Sequence, residues 1–176
     1  MPNSRSRPLT RRTVVTAAAL MLVAAPALAA CSTVSPAGTV GPESAPVSLV
    51  ALDGQEVTVP DGKPAALFFF SVGCGECVGG ASSLATAAEK VGDNADYLAV
   101  DMDPSEAEDI VRGFLDYIEA PDLPTAIDAK GTLSQRFQVA SLSTLIVVDA
   151  DGNVTFRGTD PAPAVIEAEL AKAGTE

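Results

Sequence analysis

The chain has 176 residues and a hydrophobic content of 47%, which is enough for one domain with an ordinary apolar core. Histidine is absent, which excludes histidine-based general bases and nucleophile systems and most zinc and copper sites. The formal net charge of −12 argues against nucleic acid and anionic membrane surfaces as partners. Any catalysis must therefore depend on cysteine, carboxylate, hydroxyl or backbone groups.

Residues 1–30 have the layout of an export signal, because arginines without any acid precede the apolar stretch "TVVTAAALMLVAAPALAA". The tetrapeptide "LAAC" at its end resembles a bacterial lipobox, which implies that Cys31 is lipidated and becomes the mature N-terminus. We therefore expect the protein to be anchored through Cys31 to the outer face of the bacterial cytoplasmic membrane, in the cell envelope. The alternatives are an ordinary signal that is cleaved near Ala30 and an uncleaved membrane helix.

Residues 31–46 are rich in serine, proline, glycine and threonine, which predicts a flexible tether between this anchor and the domain. The domain itself is predicted over residues 47–176. It begins with "VSLVALDGQEVTVP", two short β-rich runs around an Asp53-Gly54 turn. This pattern predicts an N-terminal β-hairpin.

The rest of the domain alternates strands and helices. "GKPAALFFF" predicts a strand that is buried on both faces, a helix is expected to begin at Cys74, and "ADYLAVDM" predicts another buried strand. In "DPSEAEDIVRGFLDYI", Asp103 is expected to cap a helix, with Pro104 at its first position and Glu106 completing a capping box. The remaining predicted elements are the strand "LPTAID", the helix "GTLSQRF", the hairpin "STLIVVDADGNVTFRG" and the helix "DPAPAVIEAELAKAG", with a second Asp-Pro start. This order predicts an α/β fold with a central mixed sheet flanked by helices on both faces.

Cys74 and Cys77 form a C-x-x-C pair where an apolar strand meets a helix. At a helix N-terminus, free N–H groups and the helix dipole favour a thiolate over a thiol. The spacing lets the second sulfur reach the first, so that one thiolate can attack a substrate disulfide and the other can resolve the mixed intermediate. The pattern therefore predicts a catalytic redox pair that needs no cofactor and no metal.

The segments "AALFFFSVGCGECVGGASSLATAAE", "YLAVDMD", "LPTAID" and "LSQRFQVASLSTLIVVDADGNVTFRG" resemble the thioredoxin superfamily, and within it the membrane-tethered TlpA-like thiol–disulfide oxidoreductases. The resemblance implies a thioredoxin-like fold that reduces disulfides of envelope proteins, with Cys74 as the nucleophile and Cys77 as the resolving thiol. It also implies a membrane electron donor that reduces the pair again. The expected neighbours of the redox site are Gly73, Gly75, Glu76, Ser143 and Thr144.

Several positions depart from the pattern of this family. Gly73 stands where the family usually has tryptophan, and Ser143 stands before Thr144 where the family has a cis-proline. A cis bond before serine costs about 2.5–4 kcal/mol, so we expect a trans bond and a reshaped loop. Phe68 and Gly80 occupy the two positions at which relatives carry a proton-handling acid.

Glu76 lies between the two cysteines. A carboxylate at this position should raise the pKa of Cys74 and so offset part of the effect of the helix dipole. We therefore expect a sluggish nucleophile at neutral pH.

Two other functions stay open from the sequence. The domain could be a non-catalytic binding module with a structural or idle disulfide, or the two thiolates could bind a soft metal ion such as Cu(I) or Hg(II). A calcium site is excluded, because the acidic clusters "DADGN" and "DMDPSEAED" lack the glycine that a calcium loop requires. These acids are interpreted as turn and helix-cap residues.

Overall fold

Apolar runs form seven strands in the computed structural model, which describes residues 45–175. The strands are β1 (Val47–Val50), β2 (Glu56–Val59), β3 (Ala65–Phe70), β4 (Asp96–Asp101), β5 (Thr125–Ile127), β6 (Thr144–Val148) and β7 (Val154–Thr159). The central sheet has the order β5-β4-β3-β6-β7, in which β3, β4 and β5 are parallel and β6 and β7 are antiparallel to their neighbours. The predicted mixed sheet is therefore confirmed. The predicted N-terminal hairpin is also confirmed, since β1 and β2 pair as a separate antiparallel sheet.

Strand β3 lies at the centre of the sheet because all of its residues are apolar and buried. Its side chains alternate between the two faces, so that Phe68 and Phe70 belong to one apolar cluster and Leu67 and Phe69 to the other. The strand thus joins the two halves of the core and ends directly before the cysteine pair.

Four α-helices cover the sheet, namely α1 (Cys77–Val91), α2 (Glu108–Tyr117), α3 (Thr132–Arg136) and α4 (Pro163–Ala173). Helices α1, α2 and α4 pack on the face of Phe68 and Phe70, whereas α3 and the hairpin cover the opposite face. Within residues 45–175, none of the helices combines the length and the apolar character needed to cross a membrane. The export signal and Cys31 lie outside the described residues, so the expectations for them stay predictions.

Helix α1 begins later than predicted. It starts at Cys77 with Glu76 as its N-cap, not at Cys74. Cys74 instead lies between two turns, since its N–H donates to Ser71 O at 3.0 Å and its carbonyl accepts from Cys77 N at 3.0 Å. Glycine on both sides of Cys74 disfavours helix there, which accounts for the late start.

Helix α2 also begins later than predicted, and the predicted capping box is wrong. The helix starts at Glu108, after an extended Ala107 with ψ of 148°. The Asp103 carboxylate accepts the N–H and the hydroxyl of Ser105, at 2.9 and 2.6 Å, and so forms a tight local turn instead of a cap. The side chain of Glu106 points to the loop after β3, where it accepts hydrogen bonds from Ser71 and Val72.

Candidate functional site

The candidate site centres on Cys74 and Cys77, which lie where β3 leads into α1. Their Sγ atoms are bonded, at 2.19 Å, and their Cα atoms are 5.3 Å apart. Cys77 is fully buried, whereas Cys74 is partly exposed. The two sulfurs are therefore not equivalent, because a substrate can approach Cys74 while the core shields Cys77.

A backbone N–H group points at the sulfur of Cys74. The N–H of Cys77 lies 3.2 Å from Cys74 Sγ. Cys77 is the first residue of α1, so its N–H is one of those that have no partner within the helix. In the reduced protein the same N–H favours a thiolate at Cys74. The helix terminus therefore acts on Cys74 even though this residue precedes the helix.

The predicted neighbours Gly73, Gly75 and Glu76 are all exposed around the pair. A Cβ atom added at Gly73 would meet only Ser71 Oγ, at 3.9 Å, and one added at Gly75 would meet nothing within 4 Å. The carboxylate of Glu76 makes no capping hydrogen bond. The surface in front of Cys74, where the family resemblance predicts a tryptophan, is therefore open.

Asp160 holds the segment before β6 in place. Ser143 is buried with φ of +58°, and its hydroxyl donates to the Asp160 carboxylate at 2.5 Å, while Asp160 N–H donates to Ser143 O at 3.1 Å. Val59–Pro60 is the one cis peptide bond within residues 45–175, so the bond before Ser143 is trans, as expected. Thr144 is buried and pairs with Phe69 of β3.

A groove of about 500 Å³ lies between the start of α1 and the loop before α4. Glu76 lines it from the start of α1, and Asp160 lines it from the loop before α4. The sequence predicts that the last helix starts at Asp160, but α4 starts at Pro163 with an extended Ala162 as its N-cap. Because Asp160 stays outside the helix, it can bind Ser143 and face the groove. The structure thus brings Glu76 and, through Asp160, Ser143 to one surface.

Gly80 of α1 packs directly on the ring of Phe68. A Cβ atom added at Gly80 would lie 2.2 Å from Cζ and 2.4 Å from Cε2 of Phe68, and both residues are buried. The two positions at which the family resemblance predicts an acid therefore form a single apolar contact here. Neither position supplies a carboxyl group to the redox pair.

Glu106 is a site residue that the sequence analysis missed. Its carboxylate accepts the hydroxyl of Ser71 at 2.8 Å and the N–H of Val72 at 3.0 and 3.1 Å to its two oxygens. Ser71 and Val72 form the turn from which Cys74 emerges. Glu106 therefore anchors the redox turn through a contact between residues more than thirty positions apart in the sequence.

Asp101, the last residue of β4, is a second missed acid. It is fully buried, and although its Oδ1 accepts the N–H of Asp103 at 2.9 Å, its Oδ2 has no hydrogen-bond partner. Burial and the neighbouring Glu106 carboxylate raise the pKa of Asp101 to about 7, against the opposing hydrogen bond from Asp103. One sequence signal pointed to it, since "YLAVD" places a charged residue at the end of a predicted buried strand.

In the acidic turn "DADGN", the carboxylate of Asp149 takes its hydrogen bonds from the protein itself. Burial raises the pKa of Asp149, but the Asn153 side-chain amide, at 2.8 Å, and the N–H groups of Asp151 and Asn153, at 3.0 and 2.8 Å, bind its carboxylate and lower the pKa below its ordinary value. Between residues 45 and 175, cysteine and acidic side chains form no group of three or more that could hold a metal ion.

A sequence model of the Redoxin family matches residues 31–173. The chain belongs to the Redoxin family. Among curated proteins, it is 56% identical over 130 residues to "Mercury resistance operon ORF3" of Streptomyces lividans, a match that covers 72% of this chain and 69% of that protein. The Redoxin match contains the cysteine pair and both missed acids.

Solved structures share the fold of this Redoxin-family chain. The exposed lipoprotein thioredoxin Etrx1 from Streptococcus pneumoniae strain TIGR4 has a TM-score of 0.64 at 21% identity, covering 73% of this chain and 99% of that chain. A secreted Mycobacterium tuberculosis disulfide oxidoreductase homologous to E. coli DsbE has a TM-score of 0.60 at 20% identity, covering 72% and 95%. These similarities confirm the predicted thioredoxin-like fold.

Proposed function

We propose that the protein is an extracytoplasmic thiol–disulfide oxidoreductase that reduces disulfides of other envelope proteins through Cys74 and Cys77. The unequal burial of the two bonded sulfurs carries the proposal. Exchange requires one accessible sulfur that can be attacked and a second sulfur within its reach, and this is the arrangement of the pair. A purely structural bridge needs no accessible sulfur, and so short a loop gains little stability from being closed.

The exchange step follows from these positions. In the dithiol form, the Cys74 thiolate attacks one sulfur of a substrate disulfide, forming a mixed disulfide and releasing the other substrate sulfur as a thiolate. Cys77, after losing its proton, attacks Cys74 Sγ and releases the second substrate sulfur. Two electrons pass to the substrate, and the Cys74–Cys77 disulfide seen in the structure forms again. A donor dithiol at the membrane then returns two electrons and two protons to the pair.

The serine variants of the two cysteines test this mechanism with a defined probe, a peptide that contains one disulfide. Reduced Cys77→Ser is expected to accumulate a mixed disulfide with the peptide, because no resolving thiol remains. Cys74→Ser is the matched control and should form little adduct, since its remaining thiol is buried. Equal adducts on both variants, or none on either, would show that the assigned roles are wrong.

The reduction potential separates exchange from an idle bridge. For an exchanging pair, equilibration of the purified domain with glutathione or dithiothreitol buffers should give a potential above about −300 mV. A potential well below this value would support the non-catalytic binding module instead.

The proposed location rests on the N-terminal sequence. The Redoxin match begins at residue 31, so the proposed export signal of residues 1–30 precedes the family domain, and Cys31 stands at the junction. Cys31→Ala should move the protein from the membrane fraction to the soluble fraction and abolish labelling with an alkyne-tagged fatty acid. Ser32→Ala is the control and should leave both unchanged. A Cys31→Ala protein that stays labelled would contradict lipidation.

A second candidate function is binding of Hg(II), which is favoured by the name of the Streptomyces lividans relative. Two thiolates are suitable ligands for a soft metal ion, and binding would release the two thiol protons. Calorimetric titration of the reduced protein with HgCl₂ should then show one ion bound per chain, even with excess glutathione present. Cys74→Ser should lose this binding. Removal of the ion by glutathione would leave exchange as the function.

A further inference from the structure

The two missed acids are neighbours, since Asp101 pairs with Phe70 at the end of β3 and Glu106 binds the turn that follows Phe70. Glu106 uses both carboxylate oxygens to bind Val72 N–H, and one of them also binds Ser71 Oγ. Asp101 contributes to the same place a carboxyl group that is fully buried and has one oxygen without a hydrogen-bond partner. A buried carboxylate oxygen with no donor is costly, and the neighbouring Glu106 carboxylate further disfavours the ionised form of Asp101.

We propose that Asp101 and Glu106 share one proton and act as a positioning pair that fixes the redox turn in a pH-dependent way. The proton is placed on Oδ2 of Asp101, which gives this atom its missing hydrogen bond, to the Glu106 carboxylate. The oxygens of Glu106 then accept this proton's hydrogen bond together with those of the turn. The proposal deepens the proposed exchange function and rests on it.

The assignment of the proton follows from the donors around each acid. The oxygens of Glu106 already accept three hydrogen bonds from the turn, whereas Asp101 accepts one, is fully buried and has a free oxygen to carry the proton. Burial and the Glu106 charge both raise the pKa of Asp101. The pair therefore holds one proton below neutral pH, and that proton belongs to Asp101.

Other charged groups near the pair do not replace this proton. Asp103 is acidic and raises the pKa of Asp101 by its charge. At the end of β5, the Asp128 carboxylate is bound by donors at the start of α3, and in α2 Glu108 pairs with Arg112. On α1 the nearest acid, Glu76, is exposed at the N-cap. Each of these groups already has a partner or lies in solvent.

Loss of the shared proton puts a second negative charge beneath the turn. Glu106 and Asp101 then repel each other, and the anchor on Ser71 and Val72 weakens. Because the N–H of Cys74 binds Ser71 O, a displaced turn displaces Cys74. Exchange should therefore slow above the titration of the pair, relative to a variant that cannot lose this proton.

A carboxyl-carbon NMR titration of the oxidised protein tests the pair without depending on exchange. The Asp101 carboxyl should titrate well above its ordinary value of 3.8, and the amide proton of Val72 should shift with the same midpoint. Asp101→Asn should abolish this step at Val72. Titration of Asp101 near 3.8, or a Val72 amide that does not respond, would overturn the proposal.

The pH profile of exchange tests the positioning role, with the disulfide peptide as the probe. The ratio of the wild-type rate to the Asp101→Asn rate should fall several-fold as the pH rises through the titration of the pair. Glu106→Gln should slow exchange by about tenfold, because a neutral amide binds the turn more weakly. Glu108→Gln is the matched control and should behave like the wild type. A ratio that is constant with pH would overturn the positioning role, whereas absence of exchange in every protein would refute the proposed function instead.

Discussion

Replacing Gly80 with alanine perturbs the contact that stands where relatives carry acids. The added methyl group would lie 2.2 Å from Cζ and 2.4 Å from Cε2 of Phe68, and carbon atoms in contact need about 3.5–4.0 Å. The ring cannot move aside easily, because Phe68 is fully buried in the central strand of the sheet. We expect overpacking to cost about 1–3 kcal/mol in the free energy of unfolding.

The neighbouring Gly79 offers a matched control, since a methyl group there would meet nothing within 4 Å. Gly79→Ala should stabilise α1 by about 0.5–1 kcal/mol, which is the usual gain for this change in a helix. Because both variants gain the same helix propensity and only Gly80→Ala is overpacked, urea unfolding should separate them by about 1–3 kcal/mol. A Gly80→Ala protein as stable as Gly79→Ala would refute the close contact. In a double-mutant cycle, Phe68→Leu should recover part of the loss at Gly80.

Three further predictions follow from single contacts. Because the pKa of Asp101 is raised to about 7, the folded protein keeps a proton that the unfolded chain releases above about pH 4, so the free energy of unfolding should fall between about pH 4 and 7. Asp101→Asn should remove this decline, worth up to about 4 kcal/mol, in urea unfolding at several pH values. Ser143→Pro should cost more than about 1 kcal/mol in thermal unfolding, because proline cannot adopt φ of +58° and the bond to Asp160 is lost; Ser143→Gly is the control for the backbone. Glu76→Gln should lower the pKa of Cys74, measured by thiolate absorbance of the reduced protein, while Glu89→Gln at the other end of α1 should not.

The sequence was sufficient for the fold because each element carried its own local signal. The apolar run that ends at Phe70 predicted the central strand, and the Asp53-Gly54 turn predicted the hairpin. The errors were made where a distant partner competes with a local one. Glu106 has the right spacing for a capping box, but the N–H of Val72, an unpaired donor in another part of the chain, binds its carboxylate instead. No local pattern contains that contact.

The candidate site was predicted only in part, because local sequence patterns reveal some of its residues and do not reveal contacts between distant parts of the chain. The spacing of Cys74 and Cys77 is local, so the pair was found, and the structure added which sulfur is accessible. Asp101 could not be assigned to the site, because its place depends on which strand lies beside β3. Only the parallel pairing that sets Asp101 beside Phe70 brings this carboxyl group under the redox turn.

The same pairing explains how an acid can be absent from β3 and yet be present near the redox turn. Phe68 pairs with Ala99, and Phe70 pairs with Asp101. The acid therefore lies two residues nearer to the end of the sheet than Phe68 does. An acid at position 68 would lie in the apolar cluster beneath α1 and beside Gly80, where burying a charge is costly. At the end of β4 the carboxyl group meets Glu106 and the loop donors instead. The two pairs of residues therefore have separate roles. Phe68 and Gly80 pack α1 on the sheet, while Asp101 and Glu106 place carboxyl groups near the redox turn.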